Sequence, residues 1–552
     1  MALARDRETV DATTVRPASE LDWTTGHLST TRAVWIFLAA LTVIRLALIG
    51  TSDLSFDEAH YWMWSDRLAP AYFSKGPGVA FAIWLSTSIF GDNEFGVRFW
   101  SPILGAGTSL LLYYFARRLF SEATGFWLVI ALNVTPIFNI GSFVMTIDPL
   151  SIFFWSAAMF TFWVALERSP QFTWHWPATG ALIGIGFLCK YTNALELASV
   201  LLVLALVPRF RSEFARPGFY TLLASFVPFT IPPIVWNQQH AWATIGHLRS
   251  RGSLDDAPGF NPLELLSFLG AHFGVYSPLL FLGLAWAVIR GWRRGRQQFK
   301  GSFLLWFGVP VFAFYFILSI NDAAAPNWDA LAFLSLGVFA ASYWRERMES
   351  RPKLSRWAAA ALVIGLLMTV VALNTDVLRS VGFEFPRRDP ADRLRGWRSA
   401  AGAVEQVRAE VEAQLGERVF MIADERDRAS ELSFYLRDKR VEGPAHPPVY
   451  IVESQAILNQ FSFWPRYDEF VEAPRREPEP DTDIYTEESG VNLFEGRTAL
   501  YIQANAKSEV MRNIKAAFGS IELIRTLEIR RYGRTIRTVR VFLCRNYRTL
   551  PL

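Results

Sequence analysis

"SFDEAHYWMWS", residues 55–65, contains in Asp57-Glu58-Ala59-His60 the four letters of a helicase box. A true box would belong to a nucleotide-binding α/β domain. The carboxylates of such a box only position Mg²⁺ on a nucleotide that an upstream phosphate loop already holds. No GxxxxGK[ST] stretch occurs in the 552 residues. The box also runs straight into Tyr61, Trp62 and Trp64, an aromatic run of the kind found at membrane interfaces. The helicase reading fails, and no nucleic-acid partner is expected.

The surroundings are those of a membrane protein. Hydrophobic residues make up 51% of the chain, charged residues 19% and aromatics 15%, with 21 Trp and 45 Phe. Apolar runs long enough to cross a bilayer recur near 33–50, 99–116, 125–141, 149–166, 177–190, 194–207, 218–236, 266–289, 301–320, 328–344 and 357–374. The expected fold is therefore a polytopic α-helical membrane protein of about 11 spans. Residues 79–90 are too short to span and read as a helix lying in the interface. The first 32 residues are polar and precede a run long enough to stay as an anchor, so no cleavable signal peptide is expected.

Alternate loops differ in charge. Residues 117–118, 168, 209–216, 290–300 and 345–356 carry sixteen Lys and Arg, while the opposite loops carry Arg67, Lys75, Arg98, Lys190, Arg249 and Arg251. That asymmetry places the first set in the cytoplasm. It also accounts for the formal net charge of +4 without an acidic partner. Three regions are expected: a cytoplasmic tail 1–32, a transmembrane domain 33–375, and an extracytoplasmic domain 376–552. The last alternates a charged helix near 397–416 with apolar runs "RVFMIA", "PVYIV", "TALYIQA" and "TIRTVRVFLC", the pattern of a small α/β domain. "EAPRREPEPDTD" within it reads as a loop. Cys189 in a span and Cys544 in the tail domain imply no disulfide framework.

Polar residues with chemical potential gather at the outer ends of the spans. Asp57, His60, Tyr61 and Trp64 share one helical face by their spacing, mixing polar groups and aromatics as a sugar-binding cleft does. Glu58 lies beside them, with the alternative that both carboxylates are simply solvated. Lys75 stands on a tight turn, "SKGPG", whose glycines admit close approach of another backbone or a ligand. Such a lysine can receive a lipid phosphate as a point charge. Asp148 before Pro149 has two readings, a helix N-cap or a functional carboxylate. Lys190 and Tyr191 close the fifth span, either snorkelling or lining a phosphate site. Arg98 reads as snorkelling. Asn327 and Trp328 suit sugar hydroxyls and ring stacking, against the plain reading of an interfacial Trp. His240, His247 and His272 lack any zinc-binding spacing.

Taken in order, "SFDEAHYWMWS", "APAYFSKGPGVAFAIWLSTSIFGDNEFGVRFWSPILGA", "LLYYFARRLF" and "TIDPLSIFFW" resemble the bacterial polytopic glycosyltransferases of the GT-C class. That class includes the protein O-mannosyltransferases and the lipid A aminoarabinose transferases. "GIGFLCKYTNAL", "PNWDALAFLSL" and "ELSFYL…NQFSFW" extend the likeness across roughly residues 33–470. The resemblance implies transfer of a sugar from a polyprenyl-phosphate carrier to a lipid, glycan or protein acceptor at the outer face of the cytoplasmic membrane. It implies Asp57 as base or acceptor-orienting group, Lys75 on the carrier phosphate, and Asp148 within the cleft. Aminoarabinose transferases have Glu before the lysine, where it helps hold a metal; here that residue is Ser74. No cofactor is thus required, although a divalent ion remains compatible with the class.

The chemistry agrees independently. A departing polyprenyl phosphate gains negative charge, which a nearby Lys stabilises, and the attacking hydroxyl loses a proton to a carboxylate. Two other classes use similar architecture. A secondary transporter would place ionisable groups at the bilayer midplane within paired repeats. A non-catalytic carrier-binding or flipping protein would share the cleft without the base.

Overall fold

The computed structural model describes residues 29–252, 259–322, 324–383, 389–437, 440–470, 491–504 and 509–549. The loop 472–483 and nearly all of the tail 1–32 lie outside these residues. A helical bundle is followed by a sheet domain, as the composition requires.

Among the described residues, five helices have the length and apolarity to cross a membrane: Thr30–Leu48, Ile147–Glu167, Pro217–Gln239, Phe299–Leu318 and Leu354–Leu373. Two bent pairs, Tyr191–Leu206 with Pro208–Ala215 and Pro262–Tyr276 with Pro278–Gln297, bring the number to seven if each is counted as one broken span. Of the remaining expected spans, 99–116 and 328–344 form helices of full length, Trp100–Leu119 and Ala330–Ser350, that are less apolar, and the other two are shorter. The run 125–141 stops at Val134 and restarts at Pro136, and the run 177–190 makes a helix of only 15 residues, His175–Cys189. The run 266–289 is not one straight span. Pro278 lacks the N–H that would continue the helix, Ser277 takes φ 68°, and the chain turns by 113°. Residues 78–90 form a 13-residue helix that buries Val79, Ala80 and Ile83 and presents Phe81, Trp84, Leu85 and Ile89 outward.

The cationic loops meet at one end of the bundle. Arg118 pairs with Glu167 at 2.5 Å, Arg294 with Glu346 at 2.7 Å, Lys300 donates to the Leu119 carbonyl, and Arg209 lies over the Phe299 ring. The asymmetry read from the sequence is thus one contiguous face.

Among the described residues, five strands form the C-terminal sheet: β1 Phe420–Ala423, β2 Tyr450–Ile451, β3 Ala499–Gln503, β4 Phe518–Arg531 and β5 Arg534–Tyr547. Their order is β2-β1-β3-β5-β4; β1 pairs parallel with β2 and β3, while β5 pairs antiparallel with β3 and β4. Helices Trp397–Leu415 and Arg426–Leu436 cover one face. The second of these packs on helix Phe56–Ser65 of the first loop, and one apolar core runs from Leu54, Trp62 and Met63 into Leu432, Phe434 and Leu500.

Polar clamps fix the same junction. Trp397 N donates to Asp53 Oδ2 at 2.8 Å, Leu54 N to the Tyr435 hydroxyl at 2.9 Å, and Phe73 N to Gln460 Oε1 at 2.7 Å. The sheet domain, which leaves the last span, therefore lies at the same end as the loop that leaves the first. Membrane crossings from first span to last must be odd in number.

Candidate active site between the first loop and the C-terminal domain

Helix Phe56–Ser65 starts with a capping box. Ser55 Oγ accepts from the Glu58 amide, and the Glu58 carboxylate accepts from the Ser55 amide at 2.9 Å. Glu58 does more than cap. Its two oxygens take a forked pair of bonds from Arg98, at 2.7 and 2.8 Å, and a third from Met145 N at 2.9 Å. Both side chains are almost wholly buried. Glu58 is consequently not a cleft residue, and Arg98 does not snorkel. The pair ties the first loop to the segment leading into Asp148. Breaking one partner of such a pair strands the other charge, so Glu58→Gln is expected to cost about 3–5 kcal/mol. A thermal midpoint equal to wild type would contradict that role.

With Glu58 turned inward, Asp57 faces the other way. It is half-buried, and among the described residues its carboxylate has no hydrogen-bond or ion-pair partner. Burial raises its pKa to about 6, with Asp427 and Asp148 adding to the rise and Arg426 and Lys75 opposing it. His60, one turn along, bonds through Nδ1 to Ser430 Oγ at 3.0 Å and stacks on Phe461. Burial, and then Arg426, push its pKa to about 3, so the ring is neutral. His60 fastens the domains rather than the substrate. Tyr61 packs edge-on to Trp64 at 5.0 Å.

Lys75 is placed by backbone contact. Tyr72 N donates to Lys75 O at 3.0 Å, closing the turn. A side chain on Gly76 would collide with the Leu188 carbonyl, and one on Gly78 with Cys189. The turn thus seats directly on the end of helix His175–Cys189, beside Lys190, and only glycine permits that approach. The Lys75 ammonium makes no hydrogen bond or ion pair among the described residues. Burial and then Lys190 lower its pKa to about 8, against Asp148 and Asp57.

Asp148 is not the N-cap. Thr146 holds that position, its hydroxyl accepting from the Asp148 amide at 3.2 Å. The carboxylate is left to receive Lys190 Nζ at 2.8 Å on Oδ1 and Asn327 Nδ2 at 2.7 Å on Oδ2. Three residues from three distant segments therefore converge on one point. Tyr191 leans on Phe187, and its buried hydroxyl has no partner among the described residues.

Trp328 lies under Arg251, 5.4 Å from ring centroid to guanidinium carbon. Both line a cavity of about 140 Å³ with Gly252, Leu318, Asp322, Ala324 and Ala325. His247 touches the Phe73 ring, and burial together with Lys75, Arg251 and Arg426 pushes its pKa to about 4. His272 bonds to Asp329 at 2.8 Å in the buried interior, and His240 to the Trp236 carbonyl at 2.7 Å.

Two residues here were not singled out in the sequence. Arg251 is one, the electrostatic neighbour of Lys75 and the stacking partner of Trp328. Arg426 is the other, at the start of helix Arg426–Leu436. That helix runs antiparallel to Phe56–Ser65, since Tyr435 meets Leu54 and Ser430 meets His60. Arg426 is the largest charge acting on Asp57 and also acts on His60 and Tyr61. Its Nε donates to Asp427 at 3.2 Å, leaving both terminal nitrogens unclaimed among the described residues. The sequence held little signal for either residue, because each is one arginine in a run rich in them.

The donor set does not fit a divalent ion. Asp148 is already claimed by a lysine and an amide, Asp57 stands among Lys75 and Arg426, and Ser74 occupies the position before Lys75. No group of three His, Cys, Asp or Glu among the described residues has the spacing to hold a metal.

Residues 74–236 match the family described as dolichyl-phosphate-mannose-protein mannosyltransferase. A lipid A galacturonosyltransferase of Rhizobium johnstonii is 24% identical over 427 residues, covering 77% of this chain and 86% of that protein. An undecaprenyl phosphate-alpha-4-amino-4-deoxy-L-arabinose arabinosyl transferase of Edwardsiella ictaluri is 26% identical over 350 residues, 56% of this chain and 59% of its own. In fold, the chain is similar to ArnT from Cupriavidus metallidurans in the apo state, with TM-score 0.57 at 15% identity, over 93% of this chain and 98% of that one. The same protein bound to undecaprenyl phosphate gives TM-score 0.57 at 17% identity, with the same coverage.

Proposed function

We propose that this chain, a multi-pass glycosyltransferase of the GT-C class in the cytoplasmic membrane, moves a sugar from a polyprenyl-phosphate carrier to a hydroxyl acceptor, with Asp57 as the base. The observation that carries this reading is the grouping of an unclaimed carboxylate, Asp57, with an unclaimed cation, Lys75, beside the fixed Asp148–Lys190–Asn327 cluster. The acceptor oxygen attacks the anomeric carbon and passes its proton to Asp57. The bond from that carbon to the phosphate oxygen breaks, and its electron pair leaves with the carrier phosphate. Lys75, with Arg251 nearby, meets the charge that the phosphate gains. Lys190 and Asn327 hold Asp148 in one rotamer, where it fixes the field around Lys75. The C-terminal domain roofs the cleft on the outer side of the membrane.

Arg426 narrows the donor. Its two free terminal nitrogens form a fork suited to a carboxylate, and a galacturonosyltransferase stands among the relatives. The preferred sugar is therefore a hexuronic acid. Purified protein supplied with polyprenyl-phosphate hexuronate and, separately, a neutral hexose donor tests this. Arg426→Gln is expected to lower kcat/KM for the uronate at least about tenfold and to leave the neutral donor little changed. Equal losses for both donors would remove the carboxylate contact.

A further inference from the structure

Asp329 opens helix Ala330–Ser350 two residues after Asn327, yet its side chain does not cap that helix. Oδ2 instead meets His272 Nε2 at 2.8 Å, with both side chains fully buried. His272, on helix Pro262–Tyr276, makes its other bond through Nδ1 to the Phe268 carbonyl at 2.7 Å. A carbonyl only accepts, so Nδ1 carries a proton. Two bare acceptors would repel at the Nε2–Oδ2 separation, so a second proton lies between them. On either atom, it leaves the pair with no net charge.

Asp329 Oδ1 is buried with no partner among the described residues. After His272, the cation that acts most strongly on Asp329 is Lys190, whose Nζ rests on Asp148 at 2.8 Å. Lys190 in turn feels both carboxylates, Asp148 before Asp329. One ammonium therefore stands between two acids, and only the second of them has a neutralising partner of its own. A buried carboxylate left without such a partner is costly, so Asp329 deprived of His272 would draw Lys190 to its free oxygen.

We propose that His272 is a positioning residue for sugar transfer: it neutralises Asp329, so that Lys190 stays on Asp148 and the charge around Lys75 stays fixed. This rests on the assignment of Lys75 and Asp148 to the cleft. Lys75 faces Lys190 and Arg251 as like charges and Asp148 and Asp57 as opposite ones, with the neutral His247 also near. If Lys190 moved to Asp329, Lys75 would lose a like charge and gain a released carboxylate. Its ammonium would then hold its proton to higher pH and pair with Asp148 rather than with a phosphate.

Acylation of the Lys75 amine by a small water-soluble reagent, read by mass spectrometry across pH in the full-length protein, tests this without turnover. Wild type should label with a midpoint near the about 8 of this amine. His272→Gln keeps a donor toward Asp329 but cannot share a proton with it. Its midpoint is expected about one pH unit higher, with labelling about tenfold slower below both midpoints and a comparable loss in kcat/KM. Adding Asp329→Asn to it removes the stranded charge and should return the midpoint to the wild-type value. His272→Phe, sized for its neighbours Phe268, Tyr276, Phe281, Phe312 and Phe333, carries the test where His272→Gln does not fold. An unchanged midpoint in the His272 variants, or a raised one that Asp329→Asn fails to lower, would overturn the proposal in favour of a purely structural pair. A raised and rescued midpoint in a protein whose Lys75→Ala variant still transfers sugar would sustain the coupling and overturn only the transfer role of Lys75.

Discussion

Asp57→Asn is expected to lower kcat/KM for sugar transfer by about 10²–10⁴-fold while carrier binding and membrane insertion persist. The amide keeps the shape of the carboxylate but cannot accept the acceptor's proton. No described contact depends on Asp57, so its loss should not disturb the fold, in contrast to its neighbour Glu58. The wild-type pH profile of kcat/KM should show the same base. Asp57 acts only when ionised, so activity should rise with pH through about 6, and Lys75 only when protonated, so activity should fall through about 8. The bell should lose its acid limb in Asp57→Asn, leaving a low plateau. A variant with near wild-type turnover would transfer the base role to Asp148.

The sequence made the architecture legible where long apolar runs and loop charge act collectively. The outer carboxylates, Lys75 and Lys190 were legible for the same reason, since charge at the end of a span is costly without a use. What it could not convey was direction. Asp57 and Glu58 are adjacent letters, yet a helix points them about 100° apart, one to the cleft and the other onto Arg98. The break within the run 266–289 was hidden for a related reason: hydropathy registers Pro278 as a minor change, whereas the backbone turns there through 113°. β4 was not singled out because Ile521, Ile524 and Leu527 recur every third residue, a helical spacing on an edge strand exposed along much of its length. Arg426 depended on the docking of two segments more than 360 residues apart, which no local pattern encodes.

Lys75→Ala should weaken carrier binding and also lower kcat, with about a 10²–10³-fold loss in kcat/KM. A phosphate contact that strengthens as the leaving group gains charge acts on both constants, whereas a purely structural lysine would alter neither selectively. The lysine is held beside Lys190 by a turn that only glycine allows, so its charge is pre-placed and no reorganisation accompanies bond breaking. Lys75→Arg should recover part of the loss, because charge returns on a planar fork of different reach. The basic limb of the pH profile should move upward in that variant, since a guanidinium stays protonated where this amine does not. The same placement bears on metal. With Asp148 occupied by Lys190 and Asn327 and with Ser74 before the lysine, transfer should survive EDTA at close to its full rate. Activity that vanishes on chelation and returns with Mg²⁺, Mn²⁺ or Zn²⁺ would show that the leaving phosphate is met by an ion and that Lys75 only assists.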